Sequence, residues 1–229
     1  MSWHKLGLVY RPEGQTPWAL TNAAYPTAEL ISPDRLRVYV TSLDQQQFGR
    51  GGYVDLDPQT LSVIDVAQQP ILDLGDIGDF DDSGANPFAV LQFGGRKLMY
   101  YQGWQRQHRA PYSVLTGLAI ERPGGGFEKW GRVPVLERTD AEPHIRGAPW
   151  LIEEAGRLRL WYVASSRWSP RGGDLYYRVS IRHATSDDGV AWQVTPDVCM
   201  EPAADEYAVG RPCVVRDPDR YRMWYSVRS

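Results

Sequence analysis

The 229-residue chain is poor in cysteine, with Cys199 and Cys213 alone, and holds only four histidines. Two thiols in a chain of this size make no disulfide scaffold, and neither stands at a metal-type spacing from a histidine. They read as two ordinary buried thiols of a reducing compartment, and no transition-metal site is expected. An excess of charge of one sign is also missing: 25 Lys and Arg stand against 28 Asp and Glu, a formal net charge of -3. That near balance supplies no concentrated basic face, so nucleic acid and acidic membrane are not expected as partners. Long apolar runs are absent as well. No window approaches the roughly 20 apolar residues of a membrane span, and the opening "MSWHKLGLVYRPEG" has no signal-peptide core. The expectation is a globular, cytoplasmic protein.

What the chain has in quantity is turn and strand chemistry: 22 Gly, 17 Pro, 13 Tyr and 9 Trp. It also repeats. Pro26 and Tyr39, Pro87 and Tyr100, Pro149 and Tyr162, and Pro212 and Tyr225 are each 13 residues apart, and the prolines step by 61, 62 and 63. After each proline comes an apolar run ("PTAELI", "PFAVLQF", "PWLIEE", "PCVVRD"), then a turn rich in Gly, Asp or Pro. An alternating strand follows ("LRVYV", "KLMYY", "RLRLWY", "YRMWYS") with a basic residue on its wet face, as a period of two requires. Third strands read in "GGYVDLD", "GLAIERP" and "VSIRHATS", fourth strands in "LSVID", "FEKWGR" and "AWQVT". "SDDGVAW" joins the last two strands of the third unit through Asp188-Gly189, a hairpin turn with no chemistry assigned to it.

Four antiparallel strands in each unit of about 60 residues are the signature of a propeller blade. The fold class expected is therefore all-β, a single propeller domain over 1–229. Blade one is placed at 21–66, blade two at 82–136, blade three at 144–198 and a partial blade four at 207–229, with 1–20 supplying outer strands of the closing blade. The count is about three and a half to four blades, an incomplete ring. Either a second chain finishes it or the sequence is a fragment lacking its last blade, and the end in mid-blade without an edge cap favours the fragment.

In a propeller the first strand of each blade lines the axis, so the loops entering these strands converge. The four entrances read "TNAAYP", "DDSGANP", "HIRGAP" and "YAVGRP". They are expected to bring Asn22 and Tyr25, Asp81 and Asp82, His144 and Arg146, and Glu206 and Arg211 towards one cavity. Arg211 there would hold a carboxylate, a phosphate or sugar hydroxyls, or else pair with an aspartate. Trp104 reads as a stacking platform or as rim packing, His144 as a titrating group or plain surface. The run "GDFDDSG" offers oxygen ligands of the kind calcium takes, although it matches no established calcium loop; alternatively its aspartates cap local backbone amides. No other cofactor is expected.

The segments "GDFDDSG" (78–84), "LMYYQGW" (98–104), "GLAI" (117–120), "LRLWYVAS" (158–165), "SDDGVAW" (186–192) and "GRPCVV...YRMWYS" (210–226) resemble the five-bladed propellers of the arabinanase/levansucrase/invertase superfamily. The likeness is nearest to glycoside hydrolase family 43 and an uncharacterised glycosyl hydrolase-like group. It implies three carboxylates on inner strands: a base, a helper that sets pKa, and a general acid. On this chain Asp81 or Asp82 matches the helper or acid and Glu142 a displaced acid, while Ala24 and Tyr25 stand where a base belongs, with only Glu29 and Asp44 nearby. The implied site is catalytic Asp81, Asp82 and Glu142, with Asp79, Arg211, Tyr25, Asp44, Trp104 and His144 binding substrate. The partner implied is a glycan or sugar conjugate. Hydrolysis, sugar binding without catalysis, and glycosyl transfer or phosphorolysis all remain open at this point.

Overall fold

The structure, a computed structural model, describes residues 4–229, the side chain of residue 171 excepted. Every regular element is a strand. The first unit holds β1 (Thr21–Ser32), β2 (Arg35–Leu43), β3 (Gly49–Leu56) and β4 (Val63–Val66), paired antiparallel in that order. The second holds β5 (Gly84–Phe93), β6 (Arg96–Arg106), β7 (Tyr112–Glu121) and β8 (Phe127–Lys129), paired in the same way. The third is β9 (Ile145–Glu154), β10 (Arg157–Ser165), β13 (Ser180–Ser186) and β14 (Gln193–Val194), with the hairpin β11 (Trp168–Arg171) and β12 (Asp174–Tyr177) inserted. β15 (Ala208–Arg216) and β16 (Tyr221–Arg228) form a separate two-stranded sheet.

Neighbouring units are stitched at one end by short parallel bridges. Gly49 pairs with Gly84, Val114 with Ile145, and Val179 with Ala208, so the third strand of each unit meets the first strand of the next. Among the described residues no ladder joins β15 or β16 to the first unit, and the propeller is an incomplete ring. Of residues 1–20, expected as outer strands of a closing blade, 1–3 lie outside the described residues and 4–20 form no strand; Tyr10, Trp18 and Ala19 lie against the first unit. The Trp18 indole donates to the Gln68 carbonyl at 3.2 Å and its ring fills the space over Gly52.

The proline-tyrosine repeat has a physical reason. Proline brings no N–H to a ladder and is tolerated in a sheet where pairing is interrupted. A register shift falls beside Pro26, Pro87, Pro149 and Pro212 in β1, β5, β9 and β15. Thirteen residues on, Tyr39, Tyr100 and Tyr162 are fully buried between units. There the hydroxyls find partners: Glu29 at 2.8 Å, the Gly189 carbonyl at 2.7 Å and Glu142 at 2.9 Å. The apolar core is accordingly divided among the spaces between units. Tyr39, Phe80, Met99 and Leu115 pack between the first and second; Leu98, Leu118, Leu158 and Leu160 between the second and third.

Candidate ligand-binding cavity

The shifts at the prolines also aim side chains at the axis. Tyr25, Ala148 and Arg211, each immediately before its proline, take left-handed φ values of 56°, 47° and 53°. A residue with a Cβ pays for that conformation in steric strain, and the α regions are further disfavoured ahead of proline. All three line a single cavity of about 470 Å³ reached by the first strand of every unit. Asn86, before Pro87, lines it too.

The wall sets aromatic rings and amides among aliphatic side chains such as Leu43, Val114, Ile145 and Val163. Tyr25 packs on Phe88 with ring centroids 5.1 Å apart. Tyr112 and Tyr177 meet edge to face at 5.8 Å, and Trp168 braces both. Burial, with Tyr177 close by, pushes the Tyr112 hydroxyl far above its ordinary range, so it stays protonated. Trp104 completes the ring set, seated where Gly84 leaves no Cβ in its way. Gln102 spans two units, its Oε1 accepting from the Ala148 amide at 3.0 Å. Asn86 Oδ1 and Thr41 Oγ1 are buried with no hydrogen-bond partner. Three arginines, Arg106, Arg211 and Arg228, reach the wall, and no carboxylate does among the described residues.

Of the residues expected here, Asn22, Tyr25, Trp104 and Arg211 reach the cavity, while the acids do not. Asp81 is buried; it accepts from the Tyr101 hydroxyl at 2.9 Å and faces Lys129 Nζ at 2.7 Å. Asp79 turns outward to the Arg132 guanidinium, which grips both its oxygens at 2.9 and 3.1 Å and holds its pKa below the usual carboxylate range. Asp82 accepts from the Gly78 amide at 3.0 Å, the Ser83 hydroxyl at 2.8 Å and the Gln105 amide group at 3.3 Å. The three carboxylates thus diverge, each to its own partner. The reason is position: they precede β5, on a loop whose carboxylates are taken up by groups of β6, β8 and the loop itself, whereas the first-strand residues of the wall lie within β1, β5, β9 and β15.

Glu142 is likewise enclosed, between Arg146 at 2.7 Å, Arg182 at 3.2 Å and the Tyr162 hydroxyl. It borders a separate polar cavity of about 310 Å³ with Arg167, Arg178 and Glu201. Asp44 shapes the turn after β2, accepting from the amides of Gln46 and Phe48 at 2.9 Å and pairing with Arg50 at 2.5 Å. Burial opposes its ionisation, but the Phe48 amide and Arg50 outweigh it and the pKa falls. Half-buried His144, together with Arg146 and Glu206, lies outside the wall. No group of three or more His, Cys, Asp or Glu side chains gathers to hold a metal among the described residues.

Asn86, Gln102, Arg106, Tyr112, Tyr177 and Arg228 had not been singled out. Asn86 holds the place ahead of proline that Tyr25 and Arg211 hold, so the repeat itself marks it.

No family model matches the chain. Two proteins of Mycobacterium tuberculosis do: "Uncharacterized protein MT1551" of strain CDC 1551 / Oshkosh, 36% identical over 231 residues, and "Uncharacterized protein Rv1502" of strain ATCC 25618 / H37Rv, 35% identical over 231 residues. Each match covers 100% of this chain and 77% of the relative. The chain belongs to their family. Its fold is shared with solved glycoside hydrolases. A structure reported under the GH130 family of mannoside phosphorylases superposes with a TM-score of 0.67 at 14% identity, over 95% of this chain and 66% of that one. A thermostable family-43 glycoside hydrolase gives 0.66 at 14% identity, over 92% and 67%. Sucrose-6-phosphate hydrolase from Lactobacillus gasseri gives 0.65 at 14% identity, over 92% and 41%. Against another structure titled "Glycoside hydrolase" the chain spans only 59% of the matched length. Identity this low establishes the fold: this family has a glycoside hydrolase type of β-propeller.

Proposed function

We propose that the axial cavity binds a carbohydrate, and that the side chains this chain places there do not cleave it. The observation that carries the reading is the composition of the wall: aromatic rings, amides and guanidinium groups set among aliphatic side chains, with no carboxylate among the described lining residues. Aromatic faces stack on the apolar face of a sugar ring, and amides bond hydroxyls as both donor and acceptor. Glycoside hydrolysis commonly needs two carboxyl groups flanking the bond, one to protonate the leaving oxygen and one to activate water or attack. Asp81, Asp82 and Glu142, the acids implied by family resemblance, are engaged with partners away from this wall. The reading keeps the chain within the five-bladed arabinanase/levansucrase/invertase group and assigns it recognition in place of turnover.

Calorimetric titration with a glycan panel, run beside a panel of aryl glycosides, tests this. Saturable heat with no released aglycone is expected. Release of aglycone that is lost in Asp81→Asn or Asp82→Asn would return the acids to a catalytic role and reject the reading.

A further inference from the structure

The three arginines of the cavity differ from most others in the chain. Arg37 is matched to Asp55, Arg50 to Asp44 and Asp73, Arg146 and Arg182 to Glu142, and Arg159 and Arg216 to Glu154. Arg106, Arg211 and Arg228 face no side-chain carboxylate at ion-pair distance among the described residues.

Each is held by neutral groups instead. One Arg106 nitrogen donates to the carbonyls of Gln46 and Gln47 at 2.8 and 2.9 Å, while its guanidinium lies over Phe48 and Trp104. Arg228 Nη1 lies 2.7 Å from the Tyr177 hydroxyl. The Arg211 guanidinium sits 5.1 Å from the centroid of the Tyr25 ring and is placed there by a left-handed backbone. Arg228 pairs with Ala208 on β15, Arg211 lies in the register shift between Gly210 and Cys213 of that strand, and both line the same cavity. Such contacts orient a guanidinium while leaving its charge uncompensated. Asn86 Oδ1 and Thr41 Oγ1 on the same wall are buried and unpartnered, at 2% and 1% residue exposure. A buried acceptor or hydroxyl without a partner is costly, and a ligand hydroxyl at that position removes the cost.

On these grounds, and resting on the carbohydrate reading above, we propose that the ligand is an acidic sugar, whose carboxylate or phosphate ester meets Arg211 and Arg228 while a hydroxyl reaches Asn86 and Thr41. A guanidinium pairs with a carboxylate or a phosphate through two parallel N–H donors, so both anions share this chemistry.

The test is calorimetric titration of the intact chain with three sets of probes: uronic acids of glucose, galactose and mannose; the corresponding hexose 6-phosphates; and the neutral parent hexoses. Inorganic phosphate is titrated separately. Binding of one acidic set about ten- to a hundredfold tighter than its neutral parents is expected, since each hydrogen bond to a charged group contributes on that scale. Raising the salt concentration should shrink the difference. Arg211→Gln should lose most of the preference while keeping its melting temperature, because the residue is exposed; Arg228→Gln serves as the second variant. Which acidic set binds distinguishes carboxylate from phosphate ester, and either supports the proposal. Equal affinity for neutral and acidic sugars would overturn it and leave the carbohydrate reading standing. Binding of inorganic phosphate with no sugar bound, or no binding at all, would remove both.

Discussion

Lys129 and Asp81 meet inside the second unit, Nζ to Oδ2 at 2.7 Å, with the Asp81 side chain 2% exposed and that of Lys129 22%. Tyr101 donates to the same carboxylate oxygen at 2.9 Å. The acid thus ties the loop ahead of β5 to β6 and β8 and has no free face toward the axis. Breaking a buried pair leaves one charge uncompensated and typically costs about 3 kcal/mol or more.

Asp81→Asn should therefore lower the melting temperature by roughly 6–12 °C, taking about 2–4 °C per kcal/mol for a chain of this length. Sugar affinity measured well below the transition should stay at the wild-type level. A variant that melts like wild type but no longer binds would place Asp81 in the site.

Gly84 packs against the indole of Trp104, and a Cβ there would overlap the indole nitrogen. Gly84→Ala must displace the ring or the strand. Overpacking of this kind costs roughly 1–3 kcal/mol. Ligand affinity and melting temperature should fall together, whereas Trp104→Ala should lose affinity by more than its effect on melting would suggest. Undiminished affinity in both variants would remove Trp104 from the binding wall.

His183 is half-buried beside Trp161, with ring centroids 5.1 Å apart. Burial first, and then the Arg159 charge, lower its pKa from 6.5. The unfolded chain therefore takes up a proton before the folded one, and stability rises with pH between the folded value and 6.5. This contribution is fully present above that window and is lost as pH falls through it. Urea midpoints measured through the window should decline more steeply in wild type than in His183→Gln. Parallel slopes would contradict the assignment.

The architecture was legible because its cause is local. A proline within a strand demands a break in pairing, a tyrosine thirteen residues on fills the space between units in the first three of them, and both recur by simple counting, although Tyr225 of the fourth is exposed. The hairpin β11–β12 was missed because Pro170 and Gly172-Gly173 punctuate "WSPRGGDLYY" as a loop, and with it went Tyr177. Cavity residues just ahead of a proline, such as Tyr25 and Arg211, could be read from the repeat.

The surroundings of two of the acids were illegible for a non-local reason. Asp81 and Asp79 meet Lys129 and Arg132, about fifty residues downstream, and no spacing rule announces such a pairing. A run of carboxylates without visible counter-charges looks like a site. Once the neighbouring strands supply the cations, it is a joint between loop and sheet.

On the proposed reading, a cavity with no carboxylate among its described lining residues binds sugar, and the acidic loops hold the blades in shape. The most direct measurement is calorimetric titration of acidic sugars into three chains: wild type, Tyr25→Ala and Asp82→Asn. Tyr25 lines the cavity, whereas the Asp82 carboxylate accepts from Gly78 and Ser83 in its own loop and from Gln105 on β6. The account predicts that Tyr25→Ala loses binding by about tenfold or more, as loss of a stacking ring implies, while Asp82→Asn binds like wild type. Binding retained in Tyr25→Ala and abolished in Asp82→Asn would contradict it.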